Sequence, residues 1–153
     1  MDLDLNKIFL MREKKGYRIT YAMSHLILKT TAVSSPFGIE DYNKKEILNL
    51  EIKKSNNDQY NFYSSIYALD KEFENKIEFS GKTYRSCIKN NLLRCHLKKN
   101  IDIFKLEENK KIYLSRNDIT KNKNIICDLH ISNIWEYGSD YGLIIYINSI
   151  QIV

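Results

Sequence analysis

The sequence predicts a mainly β protein: a closed or nearly closed barrel that carries an N-terminal hairpin and one amphipathic helix near residues 58–76. Three observations predict this fold class. Many short segments alternate apolar and polar residues with the period of two that half-buried strands show. Asn, Lys and Gly residues separate these segments at short intervals, which is typical of barrels. One stretch changes to the three-to-four-residue period of a helix.

Length and composition limit the class of protein. The 153 residues, 43% of them hydrophobic, suit one compact domain spanning residues 1–153 and are too few for two cores of ordinary size. The 24 Lys and Arg residues against 19 Asp and Glu residues give a net charge of +5. That charge attracts polyanions without identifying one, and a bias towards residues of A/T-rich codons explains the excess equally well.

The start of the chain and its hydropathy bear on location. No window approaches the ~18 consecutive apolar residues of a membrane span. The acidic residues 1–4 are unlike the basic start of a signal peptide. Cys87, Cys95 and Cys127 form an odd set without the density of a disulfide framework, which favours free thiols in a reducing compartment. We therefore expect a cytoplasmic protein without a membrane partner.

The N-terminal segment is predicted to form the hairpin. Residues 7–12 and 17–23 flank a charged turn at residues 13–16, in which Gly16 supplies the positive φ that a tight connection needs. Further strands follow on the same alternation, with a loop between them: residues 26–30, residues 47–52 and the loop containing Pro36, Phe37 and Gly38.

The helix is predicted from four apolar residues that recur at steps of three and four and so share one face: Phe62, Ile66, Leu69 and Phe73. Asp58 or Asn57 is the expected N-cap. The chain then returns to strand-like segments at residues 83–89, 92–98, 101–106, 110–116, 125–131 and 143–152. Both faces of the last segment are apolar, which predicts a strand that is central or covered on both sides.

Sequence signatures of catalysis are missing. The five glycines form neither a dinucleotide-binding motif nor a phosphate-binding loop, and no serine nucleophile elbow occurs. The cysteines together with His96 and His130 have a spacing too loose to predict a zinc site. We therefore predict a protein that is not an enzyme and that carries neither a cofactor nor a metal ion.

A cationic strand face is the main functional signal. In residues 92–98, Arg94, His96 and Lys98 fall on one face, whereas the apolar residues between them fall on the other. Neighbouring segments add Lys and Arg residues together with Tyr84 and Tyr113. Cations that hold phosphates and aromatic faces that stack on bases are what a single-stranded nucleic acid needs. An ordinary solvated β face would contain the same residue types, so the alternation alone leaves both interpretations open.

A second signal is the aromatic hairpin near the C-terminus. Gly138 and Gly142 permit a tight connection there, and Tyr137 and Tyr141 could stack on bases at its rim. Trp135 stands at the end of a strand, where packing in the core and stacking on a base are equally reasonable roles.

These features together resemble a known family. Its elements occur here in order over residues 25–153: an early strand, a loop at residues 35–39 that contains Phe37, a strand at residues 47–52, an aromatic helix, Ile134-Trp135, Gly142-Leu143 and residues 150–153. The chain resembles the compact OB-fold single-stranded DNA-binding proteins of large cytoplasmic DNA viruses and of cytoplasmic linear plasmids of yeasts. The resemblance implies an OB-fold barrel that coats displaced strands during replication without sequence preference, and it adds Phe37 and Trp135 to the candidate residues.

The leading hypothesis is therefore binding of single-stranded DNA. The expected phosphate contacts are Lys29, Lys53, Arg85, Arg94 and Lys98, and the expected stacking residues are Tyr84, Tyr113, Tyr137 and Tyr141. RNA, replication proteins and a second copy of the chain stay open as partners. Two alternatives remain: an assembly protein of a virus or plasmid particle, and a factor that binds duplex DNA or structured RNA.

Overall fold

The computed structural model describes residues 3–153; Met1 and Asp2, which begin the acidic start, lie outside the described residues. Within that range the chain forms one α-helix, α1 (Asn57–Glu74), and short 3-10 helices at Leu5–Lys7, Ile77–Phe79 and Arg116–Asp118. The strands are β1 (Ile8–Glu13), β2 (Gly16–Tyr21), β3 (Leu26–Lys29), β4 (Val33–Ser35), β5 (Ile39–Tyr42), β6 (Lys45–Glu51), β7 (Thr83–Arg85), β8 (Ile88–Lys89), β9 (Leu92–Glu107), β10 (Lys110–Tyr113), β11 (Lys123–Tyr137) and β12 (Asp140–Ile152).

Five strand runs close into a barrel. The order around it is β3 with β4, then β6, β9, β12 and β11, and β11 pairs back to β3 and β4. β9 and β12 run parallel, whereas the other neighbours run antiparallel. Counted along the chain, the five runs are β3 with β4, β6, β9, β11 and β12. The first three are neighbours in the barrel, and the fifth, β12, lies between the third and the fourth, as in OB-type barrels. The predicted fold class, a mainly β OB-like barrel with an N-terminal hairpin and one helix, is confirmed.

The N-terminal hairpin extends the barrel from β11. β1 and β2 pair from Ile8 opposite Tyr21 to Glu13 opposite Gly16, and β2 in turn pairs with β11. Gly16 has the predicted positive φ, at +136°. A Cβ on this residue would also lie 1.9 Å from the carbonyl oxygen of Ile134. Glycine is therefore required by the close approach of β2 to β11 as well as by the turn.

The helix closes the barrel core. Its predicted apolar face is confirmed, because all four residues of that face are buried in the same cluster as the barrel interior: Phe62, Ile66, Leu69 and Phe73. The N-cap is Asn56 rather than Asp58 or Asn57, since the Asn56 Oδ1 accepts from the Gln59 amide at 3.1 Å. None of the helices in residues 3–153 is long and apolar enough to cross a membrane.

Several strand boundaries differ from the predicted ones. The single strand β9 contains both residues 92–98 and residues 101–106, which were predicted as two strands. Lys99 and Asn100 are exposed and polar but form no turn, because β9 passes there from its pairing with β6 to its pairing with β10. Residues 83–89 form two short strands instead of one. β12 lies between β9 and β11, so the predicted central strand is confirmed.

Candidate nucleic-acid interface

The outward side of β6, β9 and β12 carries the cationic residues. We call it, together with Trp135 of the adjoining β11, the outer face: Lys45, Asn49, Arg94, His96, Lys98, Trp135, Ile144 and Tyr146. The predicted alternation on β9 is confirmed, because Leu93 and Cys95 are buried in the core whereas Arg94 is exposed. Asn49 of β6 lies opposite Arg94, and Tyr146 of β12 lies opposite His96. The barrel pairing thus brings side chains from distant parts of the sequence onto one surface.

Two clefts meet on the outer face. One has a volume of about 380 Å³ and is lined by Lys45, Arg85, Arg94, His96, Trp135 and Ile144, among others. The other, of about 290 Å³, lies towards the N-terminal hairpin and is lined by Lys15, Asn133, Trp135, Ile144 and Tyr146, among others. Trp135 and Ile144 line both, so the two clefts form one track that crosses the outer face.

Trp135 stands at the junction of the clefts. It is paired with Gly142 of β12, and a Cβ on Gly142 would come within 2.6 Å of the indole Nε1. The absence of a side chain at Gly142 therefore lets the indole rest against the β12 backbone. Trp135 is half-buried and lines both clefts. It thus combines the two roles that the sequence left open, packing on one side and facing the track on the other.

Tyr42 extends the aromatic surface beside β6. It ends β5 and is paired with Lys45, and its side chain is 63% exposed. The Arg94 guanidinium carbon lies 5.6 Å from the centre of its ring, within the range of a cation–π contact. Sequence reasoning missed Tyr42 because β5 was not predicted; its acidic residues Glu40 and Asp41 hide the strand alternation.

A group of histidines lies beside Lys98. The Lys98 Nζ is 3.5 Å from the His130 Nδ1 and 5.8 Å from the centre of the Tyr146 ring, and the His130 ring stacks on His25 at 4.6 Å. Burial, followed by the charge of Lys98 and the proximity of His25, lowers the pKa of His130 to about 4. Burial and the charges of Arg94 and Lys45 also lower the pKa of His96. At neutral pH the positive charge of the outer face therefore comes from its lysines and arginines.

Acidification from about pH 7 to about pH 5 should destabilise the protein partly through His130. Its folded-state pKa of about 4 lies below the ~6.5 of an unfolded histidine. Between these values the unfolded chain binds more protons, so the free energy of unfolding falls as the pH falls. A His130→Asn variant should lose less free energy of unfolding than the unmodified chain when urea denaturation is measured at both pH values. Equal losses in the two proteins would rule out this role.

A buried carboxylate positions Arg85. Asp70 of α1 is 4% exposed and accepts hydrogen bonds from the Tyr84 hydroxyl at 2.6 Å and from the Ser86 hydroxyl at 2.5 Å. These two donors flank Arg85 in the chain. Their attachment to α1 fixes β7 beside β12, where the Arg85 Nη2 lies 3.3 Å from the Asp140 Oδ2. Arg85 therefore reaches the larger cleft from a rigid support.

Two predicted stacking residues face the core instead. Tyr141 is 1% exposed, and its hydroxyl donates to the carbonyl oxygens of Phe73 and Glu74 at 3.0 and 2.8 Å. Tyr84 packs against Tyr141 and donates to Asp70, and burial raises its pKa well above the usual value. The prediction that Tyr84 and Tyr141 stack on bases is therefore corrected, because both rings hold α1 and β7 against the barrel.

The remaining predicted cations, Lys29 and Lys53, line neither cleft of the track. Lys29 of β3 lines a separate cleft of about 180 Å³ with residues of α1 such as Asp58 and Asn61. Lys53 follows β6, and its Nζ lies 3.9 Å from a carboxylate oxygen of Glu51.

The remaining predicted aromatic residues are exposed at three different places. Phe37, 48% exposed, lies between β4 and β5. Tyr113, 65% exposed, lies on β10 beside the second half of β9. Tyr137, 86% exposed, stands at the turn between β11 and β12, two residues beyond Trp135. Of these three, Tyr137 is nearest in the chain to the track.

Comparison with known proteins gives structural likenesses. No protein-family model and no curated protein matches the sequence. gp2.5, a single-stranded DNA-binding protein encoded by bacteriophage T7, matches with a TM-score of 0.57 and 9% identity over 83% of this chain and 91% of its own. The C-terminally truncated single-stranded DNA-binding protein from bacteriophage Enc34 matches with a TM-score of 0.60 and 13% identity over 96% and 95%. This chain shares their fold.

The same Enc34 protein has also been solved in complex with single-stranded DNA. That structure matches with a TM-score of 0.53 and 15% identity, again over 96% of this chain and 95% of the other. At these identities the likeness concerns the fold. The likeness therefore assigns no role to individual residues of this chain, and such roles rest on the geometry of the outer face.

Proposed function

We propose that this chain binds single-stranded DNA without sequence preference, through the outer face, and coats strands displaced during replication. The observation that carries the proposal is the continuous track in which Arg85, Arg94 and Trp135 line one cleft. OB-fold barrels bind oligonucleotides on the face of their second and third strands, which are β6 and β9 in this chain. The fold shared with phage single-stranded DNA-binding proteins supports the same function.

Phosphates and bases have distinct partners in this proposal. Four cations contact the phosphates: Lys45, Arg85 and Arg94, which line the larger cleft, and Lys98 of the outer face. Trp135, Tyr42 and Tyr146 offer ring faces to the bases, each stacked base contributing ~1–3 kcal/mol. Every base has a flat face and every nucleotide has a phosphate, so this set of contacts does not discriminate between sequences. The track proposed here involves no catalytic step.

The salt dependence of binding tests the proposal. Four neutralised phosphates, at ~0.7 per contact for a single strand, give a slope of roughly −2.8 for log affinity against log salt concentration. We expect this slope in a titration with oligothymidine, followed by the fluorescence of Trp135, the single tryptophan of the chain. Arg94→Ala should make the slope shallower by ~0.7 and should weaken binding to mixed-sequence strands equally. Binding that does not change with salt would refute the proposal.

Competition distinguishes the alternative ligands. A duplex of the same length should compete poorly for the protein, because its bases are stacked on each other and offer no free face to Trp135. An RNA strand of the same sequence measures the preference between DNA and RNA. Stronger competition by the duplex than by the single strand would favour the alternative of a duplex-binding factor.

The proposal also covers the domain organisation of the chain, its location and its family resemblance. We propose that residues 1–153 act as one domain, since the described apolar residues of barrel and helix form one buried cluster. We also propose a cytoplasmic location, which the resemblance to proteins of cytoplasmic viruses and plasmids implies. The narrower resemblance, to proteins of large cytoplasmic DNA viruses and yeast plasmids, is supported by the motifs at residues 35–39 and 134–135, whereas the structural neighbours come from phages.

A further inference from the structure

The outer edge of the N-terminal hairpin is open. β1 pairs with β2 on one side, and in residues 3–153 no strand pairs with its other side. The Lys7 carbonyl oxygen accepts from the Ala22 amide at 3.0 Å, so the odd-numbered residues of this strand direct their backbone groups towards β2. The even-numbered Leu10 and Arg12 therefore direct theirs towards the open edge. An open edge of this kind is a template for another strand.

The open strand also exposes apolar side chains. Phe9 is 60% exposed and Met11 is 57% exposed, and both lie on the same face of β1. The strand contains neither a proline nor a bulge, two of the devices that protect natural edges from pairing. Its outward face is therefore apolar at the centre and ends at Glu13, and Lys7, the last residue of the preceding 3-10 helix, adjoins its other end.

We infer that this edge is a self-association surface, on which a second copy of the chain adds its own β1 in antiparallel orientation. The favoured register places Leu10 opposite the partner's Leu10 on a two-fold axis. Phe9 then lies opposite the partner's Met11, and Lys7, which ends the 3-10 helix directly before β1, lies beside the partner's Glu13. A shift by two residues in one direction places Phe9 opposite the partner's Glu13. A shift in the other direction places the partner's Met11 beside Lys7. Charge complementarity and apolar contact thus select the same register.

The backbone supports this register. Each Leu10 amide can donate to the partner's Leu10 carbonyl oxygen, and each Arg12 amide can donate to the partner's Ile8 carbonyl oxygen. The Ile8 amide already donates to the Leu5 carbonyl oxygen, so four hydrogen bonds form between the two chains rather than six. Glu13 accepts from Arg18 through one oxygen and from Asn133 through the other, and each oxygen retains capacity for the partner's Lys7.

The two-fold axis of such a pair is perpendicular to the sheet, so the corresponding faces of the two chains point to the same side of the dimer. Phe9 and Met11 lie on the face of the hairpin that carries Arg18, and Arg18 is paired with Asn133 of the smaller cleft. The two outer faces would therefore be joined through the hairpins into one longer surface. This consequence rests on the proposed function; self-association itself does not, and it is measured without nucleic acid.

The mass of the full chain in solution tests the inference. We expect light scattering at increasing protein concentration to approach twice the 18.2 kDa of one chain. Phe9→Lys combined with Met11→Lys should leave a monomer at every concentration, because it places like charges opposite each other. The control, Met23→Lys with Leu106→Lys, replaces two exposed apolar residues outside β1 and should still dimerise. A monomeric mass for the unmodified chain at all concentrations would overturn the inference.

A cross-linking experiment tests the register. Residues 9 and 11 would form non-hydrogen-bonded pairs across the two-fold axis, with a Cα separation of about 4.5 Å that suits a disulfide. Phe9→Cys combined with Met11→Cys should therefore give a covalent dimer on mild oxidation, whereas either single variant should not. The native cysteines are buried and should not compete. Absence of a covalent dimer, or loss of oligothymidine affinity in the lysine variant of β1 without any change of mass, would contradict the proposed pairing.

Discussion

Replacing Arg94 and Lys98 together by alanine should lower the affinity for oligothymidine about tenfold at 0.15 M salt. The two side chains lie on the same face of β9, and each lies beside an aromatic ring, Arg94 beside Tyr42 and Lys98 beside Tyr146. Each lost phosphate contact removes the release of ~0.7 counterion, so the salt slope should become shallower by ~1.4. The loss of affinity should be larger at lower salt.

A matched control separates this effect from a change in net charge. Lys29→Ala combined with Lys53→Ala also removes two positive charges, but these residues lie beside α1 and after β6 and line neither cleft of the track. We expect this variant to keep most of its affinity and its salt slope. Equal losses in the two double variants would show that binding follows the overall charge of the protein and that the outer face has no special part in it.

Gly16→Ala should destabilise the protein by about 3 kcal/mol or more. The new methyl group would lie 1.9 Å from the Ile134 carbonyl oxygen, and the backbone φ of +136° is one that alanine rarely adopts. Because Ile134 belongs to β11, relief of this clash requires β2 to move away from the barrel. Thermal unfolding should show the loss as a decrease in Tm of ~2–4 °C per kcal/mol.

Gly138→Ala provides the control for backbone strain. Gly138 also has a positive φ, +61°, but a Cβ at this position would meet no atom within 4 Å. Its replacement should therefore cost only about 1–2 kcal/mol, the strain of a left-handed alanine. If the two variants unfold at the same temperature, the contact between Gly16 and β11 contributes nothing beyond the conformational preference of glycine.

The sequence predicted those parts of the fold that depend on local pattern. Alternation in residues 92–98 correctly separated Arg94 from Leu93 and Cys95, because a strand directs successive side chains to opposite faces whatever its neighbours are. The helix was predicted for the same reason, since Phe62 and Ile66 share a face wherever the helix packs. Three of the eight residues of the outer face, Arg94, His96 and Lys98, could therefore be predicted from β9 alone.

The rest depends on contacts between distant residues. Tyr84 and Tyr141 are of a residue type common on binding surfaces. Their hydroxyl groups instead form hydrogen bonds inside the protein, with Asp70 and with carbonyl oxygens at the end of α1. Nothing adjacent in the sequence indicates those partners. Tyr42 was missed for the converse reason, because its strand is recognisable only from its pairing with β6. Which aromatic residues face the track is decided by strand register rather than by local sequence.

Ultraviolet cross-linking of the full chain to oligothymidine, followed by mass spectrometry of the peptides, tests the location of the binding surface most directly. We expect the cross-links to fall on Trp135 and Tyr146, which line the track, and on Tyr42 beside Arg94. Cross-links confined to Tyr113 on β10 or to Phe37 between β4 and β5 would place the nucleic acid elsewhere and would contradict the proposed role of the outer face.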